Sequence, residues 1–268
     1  MTLSIAIAGA AGRMGRALIR AASDDPRFEI CGGTERREGQ FFGADLGALA
    51  GLAPLFMTTS DAADHAAERA DVWIDFTTPD ATLHALDMLR GTSTRAAIVG
   101  TTGFTAEQEA QVAEHARRIA IVRSGNFSLG VNLLAALVEQ AASKLGAGWD
   151  IEITEAHHRR KVDAPSGTAL LLGEAAAHGR GKPLNELRLP PYDGATGARP
   201  EGKIGFSVIR GGGIVGEHDV RFAAEREVLT FSHQALDRAV FADGALAAAL
   251  WAAEQPAGLY SMRDVLGL

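Results

Sequence analysis

The sequence predicts an α/β chain in two parts: a parallel sheet built from repeated strand-helix units, then a second part whose sheet is largely antiparallel or mixed. Three observations carry this expectation. From residue 3 to about residue 123, short apolar or β-branched runs alternate with longer helical patterns, the rhythm of βαβ units. After Gly125 that rhythm stops, and three β-like runs at 204–210, 216–222 and 227–232 follow one another without helices. The 268 residues allow two domains at about 150 residues each, and 47% hydrophobic against 22% charged residues is the balance of a globular chain with a sizeable core.

Strands of the first part are expected at 3–8, 28–33, 72–76, 96–99 and 119–123. Two helix starts between them carry explicit chemistry: Thr78 precedes Pro79 in the cap-then-proline arrangement, and Thr105 with Gln108 has capping-box spacing. Residues 36–57 are less regular, with 54–57 a candidate short strand. A long helix is expected over 129–145, stopped by Gly146 and Gly148, followed by a strand at 149–156 and a helix over 168–177. Residues 179–202 hold Pro183, Pro190, Pro191 and Pro200 and read as a surface excursion. The Ala-rich helix at 240–251 could pack against either part.

The formal charge, 26 Lys and Arg against 33 Asp and Glu, is −7, so the global field repels nucleic acid and anionic lipid, and an anionic ligand needs a local basic site. Cys31 is the only cysteine, which excludes an intramolecular disulfide, a Cys-rich zinc site and a CxxC redox pair and fits a reducing, cytoplasmic compartment. No apolar run has the length of a membrane span, and none at the start has the flanks of a signal peptide.

The strongest local motif is Gly9-Ala10-Ala11-Gly12-Arg13-Met14-Gly15, placed after the first strand and opening the first helix. Glycines there allow a tight turn and close approach of a pyrophosphate to free helix N–H groups, although the spacing is GxxGxxG rather than GxGxxG, and a plain strand-to-helix turn would look the same. Glu35, 20 residues beyond Gly15, stands where an acid would bind an adenosine ribose; Arg36 and Arg37 follow where a ribose 2′-phosphate would sit. Two further small-residue loops, Gly100-Thr101-Thr102-Gly103 and Ser124-Gly125-Asn126-Phe127, fall at expected carboxyl ends of strands, where ligands of open α/β sheets lie.

The third constellation runs from Glu155 through His157-His158-Arg159-Arg160-Lys161 to Pro165-Ser166-Gly167-Thr168. A solvated basic face is its plain reading. Here, though, the basic run leads within a few residues to a helix start, so two anion-binding devices converge, as a substrate with more than one carboxylate would use. His157 and His158 are adjacent and point to opposite faces of an extended segment, which argues against shared metal ligation and leaves one His as a candidate acid, with Lys161 the second candidate. His65, His84, His115 and His178 read as surface residues of helices; His218 and His233 are left undecided. Absences narrow the chemistry. Neither Tyr192 nor Tyr260 is followed four residues later by Lys, Cys31 falls in the presumed cofactor half, and no GxxxxGK[ST] loop occurs.

Taken together, Ile7 to Gly15, Asp75-Phe76-Thr77, Gly100 to Gly103, Asn126-Phe127-Ser128, Glu155 to Thr168 and Ile214 to His218 make the chain resemble the 4-hydroxy-tetrahydrodipicolinate reductase family, formerly dihydrodipicolinate reductase, of the diaminopimelate route to lysine. The resemblance implies a Rossmann-type doubly wound parallel sheet, residues 1–128 and 239–268, as the dinucleotide-binding domain. It implies a substrate-binding and oligomerisation domain, 129–238, with a mixed four-stranded sheet, and a homotetramer. It further implies hydride transfer from NADH or NADPH to C4 of a small dianionic ring. His157 matches the proton donor and Lys161 its companion; His158, Lys161, Ser166, Gly167 and Thr168 match the substrate ligands. Gly9, Ala10, Ala11, Gly12, Arg13, Met14, Gly15, Glu35, Arg36, Gly100, Thr101, Thr102, Ser124, Gly125, Asn126 and Phe127 match the cofactor site. Thr78 stands where some members carry Arg, which removes one phosphate contact. Two alternatives stay open on the residues alone: a reductase of another polycarboxylate, and a non-catalytic dinucleotide sensor.

Overall fold

The computed structural model describes residues 2–268 and divides into two compact units, residues up to Leu129 with Ala239–Leu268, and Gly130–Arg238. In chain order the first unit opens with β1 (Leu3–Ile7), α1 (Arg13–Ser23), β2 (Phe28–Gly33), α2 (Leu46–Ala50) and α3 (Ala63–Ala66). It continues with β3 (Val72–Asp75), α4 (Pro79–Met88), β4 (Ala96–Val99), α5 (Ala106–His115) and β5 (Ala120–Arg123). The second unit takes α6 (Leu129–Lys144) from its second residue onward, then β6 (Asp150–His157), α7 (Gly167–Gly179), α8 (Leu184–Leu187), β7 (Ile204–Arg210), β8 (Gly216–Ala223) and β9 (Val228–Ala235). The chain then completes the first unit with α9 (Ala239–Ala252), β10 (Gly258–Tyr260) and α10 (Met262–Leu266).

The first unit is the expected doubly wound parallel sheet, in the order β10-β5-β4-β3-β1-β2 with every pairing parallel. β3 and β4 are buried at every position, so they read as continuous apolar runs rather than alternating ones. Successive side chains still go to opposite faces. Ile5, Ile7, Ile74, Ile98 and Val122 pack on one face with α1 and α9, whereas Ala6, Trp73, Ala97, Val99 and Ile121 pack on the other with Leu86 and Val112. The small residues of α9 let it approach closely: a Cβ at Gly244 would lie inside van der Waals contact of the Phe127 carbonyl oxygen, at 1.7 Å.

The second unit carries the mixed four-stranded sheet, order β7-β6-β8-β9, with β6 and β7 parallel and the remaining pairs antiparallel. One face packs Ile151, Ile153, Ile204, Val220 and Phe222 against Leu134 and Val138 of α6 and Leu172 and Ala176 of α7.

Two expectations need correction, at 54–57 and at His115. Residues 54–57 form no strand: Phe56 has φ 57° and is 93% exposed, so the segment cannot extend, and pairing there is limited to isolated bridges at Thr58 and Ser60. The excursion over 179–202 does run on the surface, mostly exposed, and is pinned at a few points. α8 buries Leu184 and Leu187, and the Arg199 guanidinium donates to the Ile151 carbonyl at 2.8 Å and to the Lys203 carbonyl at 3.0 Å. His115 is not a surface residue but is buried on α5, where burial holds its pKa below the ordinary value. The capping box at Thr105 and Gln108 forms as expected, while Thr78 opens α4 before Pro79 without a side-chain cap bond.

Candidate active site

In the first unit the candidate cofactor residues gather at the carboxyl ends of the parallel strands. The chain leaves β1 toward β2 on one side and toward β3 on the other, so the strand order reverses beside β1, and Gly9–Gly15 turns at that point. Gly9 has φ +60°, which a side chain resists, and the Gly12 N–H donates to its carbonyl at 2.8 Å. Gly15 lets α1 press on the loop: a Cβ there would sit 2.3 Å from the Gly9 carbonyl oxygen. Gly12 caps α1 without any side-chain bond, leaving the first helical N–H groups for an anion. Arg13 and Gly12 are exposed, Met14 is partly so, and Ala10 is wholly buried.

Glu35 lies just beyond β2 and uses its carboxylate twice on backbone, accepting from Ala11 N–H at 3.1 Å and Arg36 N–H at 3.2 Å. Arg36 is exposed, and Arg37 makes a 3.5 Å surface pair with Asp61. The loops after β3 and β4 are tied by buried Asp75, which accepts from the Thr77 hydroxyl at 2.6 Å and the Thr101 hydroxyl at 3.2 Å. Thr101 is therefore committed to the scaffold, with Thr102 exposed beside it, and Gly100 admits the Phe76 ring, which a Cβ would meet at 2.1 Å. After β5, the Ser124 hydroxyl donates to the Asn126 carbonyl at 2.7 Å, and Gly125 is exposed. Phe127 is buried edge-on against Phe76 at 5.3 Å, so its ring is core. Cys31 is half-buried beside β1, and burial pushes its thiol up to about 11, which makes it a poor nucleophile.

In the second unit the alternation of β6 puts Glu155 and His157 on one face, and they meet: His157 Nδ1 is 2.6 Å from Glu155 Oε2. Glu155 is 1% exposed and fully engaged. Arg210, at the end of β7, donates to both its oxygens at 2.7 Å, and the Ser166 N–H donates to Oε1 at 2.9 Å. Burial pushes the Glu155 carboxyl up, but those donors win and hold it below its ordinary value. Ser166 caps α7 by accepting from Ala169 N–H at 3.1 Å, and its hydroxyl lies 3.0 Å from His218 Nε2 on β8. The His218 ring meets that of His157 edge-on at 5.1 Å; burial, then the neighbouring His157, lowers its pKa to about 4, so it is neutral. The exposed Gly167 and partly exposed Thr168 begin α7. His158 Nε2 faces the Arg238 guanidinium at 3.0 Å, so that nitrogen accepts and the imidazole stays neutral, its pKa lowered by burial and by Arg238. Lys161 turns back through its N–H to the His158 carbonyl at 3.0 Å, and its ammonium pairs with Asp163 at 2.9 Å.

The structure thus brings His157, His158, Lys161 and Ser166 into one network and adds four residues that the sequence reading left without a role: Glu155, Arg210, His218 and Arg238. The two-residue spacing of Glu155 and His157 on a strand was the available signal for the first. Among the described residues, no group of three or more His, Cys, Asp or Glu could hold a metal ion, and no helix is long and apolar enough to cross a membrane.

Residues 3–127 match the family model for the dihydrodipicolinate reductase N-terminus, and residues 130–266 match the model for its C-terminus. The chain belongs to the dihydrodipicolinate reductase family. It is 50% identical over 267 residues to the 4-hydroxy-tetrahydrodipicolinate reductase of Sinorhizobium medicae (strain WSM419), covering 99% of this chain and 98% of that one. The enzyme of the same name from Parvibaculum lavamentivorans (strain DS-1 / DSM 13023 / NCIMB 13966) is 51% identical with the same coverage. Among solved structures, a dipicolinate-bound dihydrodipicolinate reductase from Paenisporosarcina sp. TG-14 superposes with a TM-score of 0.78 at 23% identity, covering 98% of this chain and 99% of that one, which establishes a shared fold. An amine dehydrogenase from Mycobacterium smegmatis follows at 0.62 and 14% identity over 98% and 95% of the two chains, so the fold alone does not set the substrate of a dihydrodipicolinate reductase.

Proposed function

We propose that this chain is a 4-hydroxy-tetrahydrodipicolinate reductase of lysine and diaminopimelate biosynthesis, using NADH, NADPH or both. The observation that carries the reading is the His157 imidazole, held through Nδ1 by a buried carboxylate and set beside a helix N-terminus and a basic loop, in a chain about half identical end to end to enzymes of that name. The first unit is proposed as the dinucleotide-binding domain: its uncapped α1 N-terminus and the backbone of Gly9–Gly15 fit a pyrophosphate, and Glu35 with Arg36 lies where the adenosine ribose belongs. A reduced nicotinamide, when bound, supplies the hydride for C4 of the ring after the 4-hydroxyl has left as water.

The protein's own work is placement and proton transfer. The N-terminus of α7 at Gly167 and Thr168, with His158 and Lys161, attracts and orients the two ring carboxylates. His157 releases its Nε2 proton to the electron pair that develops elsewhere in the conjugated imine when the hydride adds, which completes a two-electron reduction. Self-association is proposed through the second unit, where Val228 and Ile209 of β9 and β7 are 62% and 51% exposed; a homotetramer covers such strands.

Replacing His157 by Gln keeps the site's shape but removes the acid, so kcat should fall on the order of 100-fold while KM changes little. Steady-state kinetics on both proteins checks this, and wild-type turnover by His157→Gln would assign the proton to another group.

A further inference from the structure

We infer that Glu155 and Arg210 act as a positioning pair that fixes which nitrogen of His157 exchanges its proton and how readily it does so; the inference rests on the reading of His157 as the acid. Three observations lead there. The Glu155 carboxylate is ionised and receives donors at every side: Arg210 at 2.7 Å on each oxygen, the Ser166 N–H at 2.9 Å, and His157 Nδ1 at 2.6 Å. Against an acceptor of that kind Nδ1 must carry a hydrogen, so Nε2 is the nitrogen left to give and take a proton. Gly216 of β8 keeps that nitrogen clear, because a Cβ there would stand 3.1 Å from Nε2.

Charge supplies the rest. A lone buried carboxylate at 2.6 Å would hold the imidazolium so firmly that it would make a weak acid. The bidentate Arg210 guanidinium cancels that charge, so Glu155 orients the ring without locking its proton in place. Arg210 also donates to the Asp163 carbonyl at 2.7 Å, fastening the loop that carries Lys161 to the same anchor. The other titratable groups near His157 are neutral His218 on β8, which stands between it and His233 of β9, and His158, Lys161 and Asp163 on the loop after β6; the first turn of α7 adds no acidic group.

The pair makes opposite predictions for its two members, which a purely structural role does not. In Glu155→Gln the side-chain oxygen still accepts from Nδ1 but the negative charge is gone, so the limb on which kcat falls with rising pH should move down by about one unit, with kcat lowered more than tenfold and KM within about threefold. In Arg210→Met the uncancelled carboxylate should move the same limb up, and Arg210→Lys should return it toward wild type. Should a variant fail to fold, nitrogen-15 shifts of the wild-type His157 ring serve instead, with Nδ1 protonated throughout and Nε2 titrating. An unmoved limb in folded Glu155→Gln, a shift of the same sign in both variants, or titration at Nδ1 overturns the inference. If activity still depends on His157 in that case, the acid assignment survives alone; if His157→Gln turns over normally, both fall.

Discussion

Gly15→Ala tests the nucleotide loop with the smallest possible change. The backbone at Gly15 lies in an ordinary conformation, so the added methyl acts only through space. It would stand 2.3 Å from the Gly9 carbonyl oxygen and 2.7 Å from Ala10 Cα, where carbon contacts normally begin near about 3.5 Å. Both neighbours are backbone, so α1 and the loop must separate by about 1 Å, and overpacking of this kind costs about 1–3 kcal/mol. For a unit of this size the melting temperature should drop by roughly 2–12 °C. The same displacement would move the α1 N–H groups away from the pyrophosphate that the proposed reading places there, so dinucleotide affinity should weaken at least tenfold, on the order of 1.4 kcal/mol. Calorimetric melting and titration with NADH read the two effects separately. Gly91→Ala, where a Cβ meets nothing within 4 Å, is the control and should leave affinity unchanged without lowering the melting temperature. Wild-type melting and wild-type affinity in Gly15→Ala would mean that the loop does not seat the dinucleotide as described.

Cofactor choice should be shared: Glu35 favours ribose hydroxyls, Arg36 and Arg37 favour a 2′-phosphate, and kcat/KM for NADH and NADPH should agree within roughly tenfold. Changing both arginines to Ala should damage NADPH use far more than NADH use, and equal losses would show that they do not read the phosphate. Lys161→Ala should raise KM more than it lowers affinity for dinucleotide, because it removes a charge from the substrate's anion site only; parallel kinetics and NADH titration check this. Acid should destabilise the second unit in two stages. His218 is neutral down to about pH 4 when folded but takes up a proton near its ordinary value of 6.5 when unfolded, so stability falls as pH drops through that window, by at most about 3 kcal/mol. Below it, Glu155, whose folded pKa is depressed, adds a further loss as it protonates. Urea midpoints that are the same near about pH 7 and about pH 5 in wild type, or no flatter dependence in His218→Gln, would contradict the buried neutral imidazole.

Where the sequence carried a strong local period, the structure follows it. β2, β4, α5 with its capping box, and α9 announce themselves through apolar runs or cap chemistry that need no partner to be recognised. The missed elements share a physical feature: α2, α3, α8 and the three-residue β10 are too short to show a period, and β10 exists because β5 offers it an edge. The site divides the same way. His157, Lys161 and the Ser166 cap stand within one run of residues and were legible as a unit. Arg210 and His218 reach the site from 55 and 52 residues away, through strand register, and no spacing in the sequence encodes that. The Glu35 carboxylate differs in kind: its place after β2 was legible, whereas its bond to the Ala11 N–H depends on how closely the turn approaches it.

Whether this chain reduces 4-hydroxy-tetrahydrodipicolinate is decided by following NADH consumption on mixing the wild-type protein with freshly generated substrate, with His157→Gln run beside it. The site described here requires oxidation that depends on both substrate and protein, one tetrahydrodipicolinate formed per NADH, and a rate on the order of 100-fold lower in the variant. No NADH oxidation by the wild-type protein would contradict the proposed activity, and equal rates in the two proteins would contradict the role given to His157.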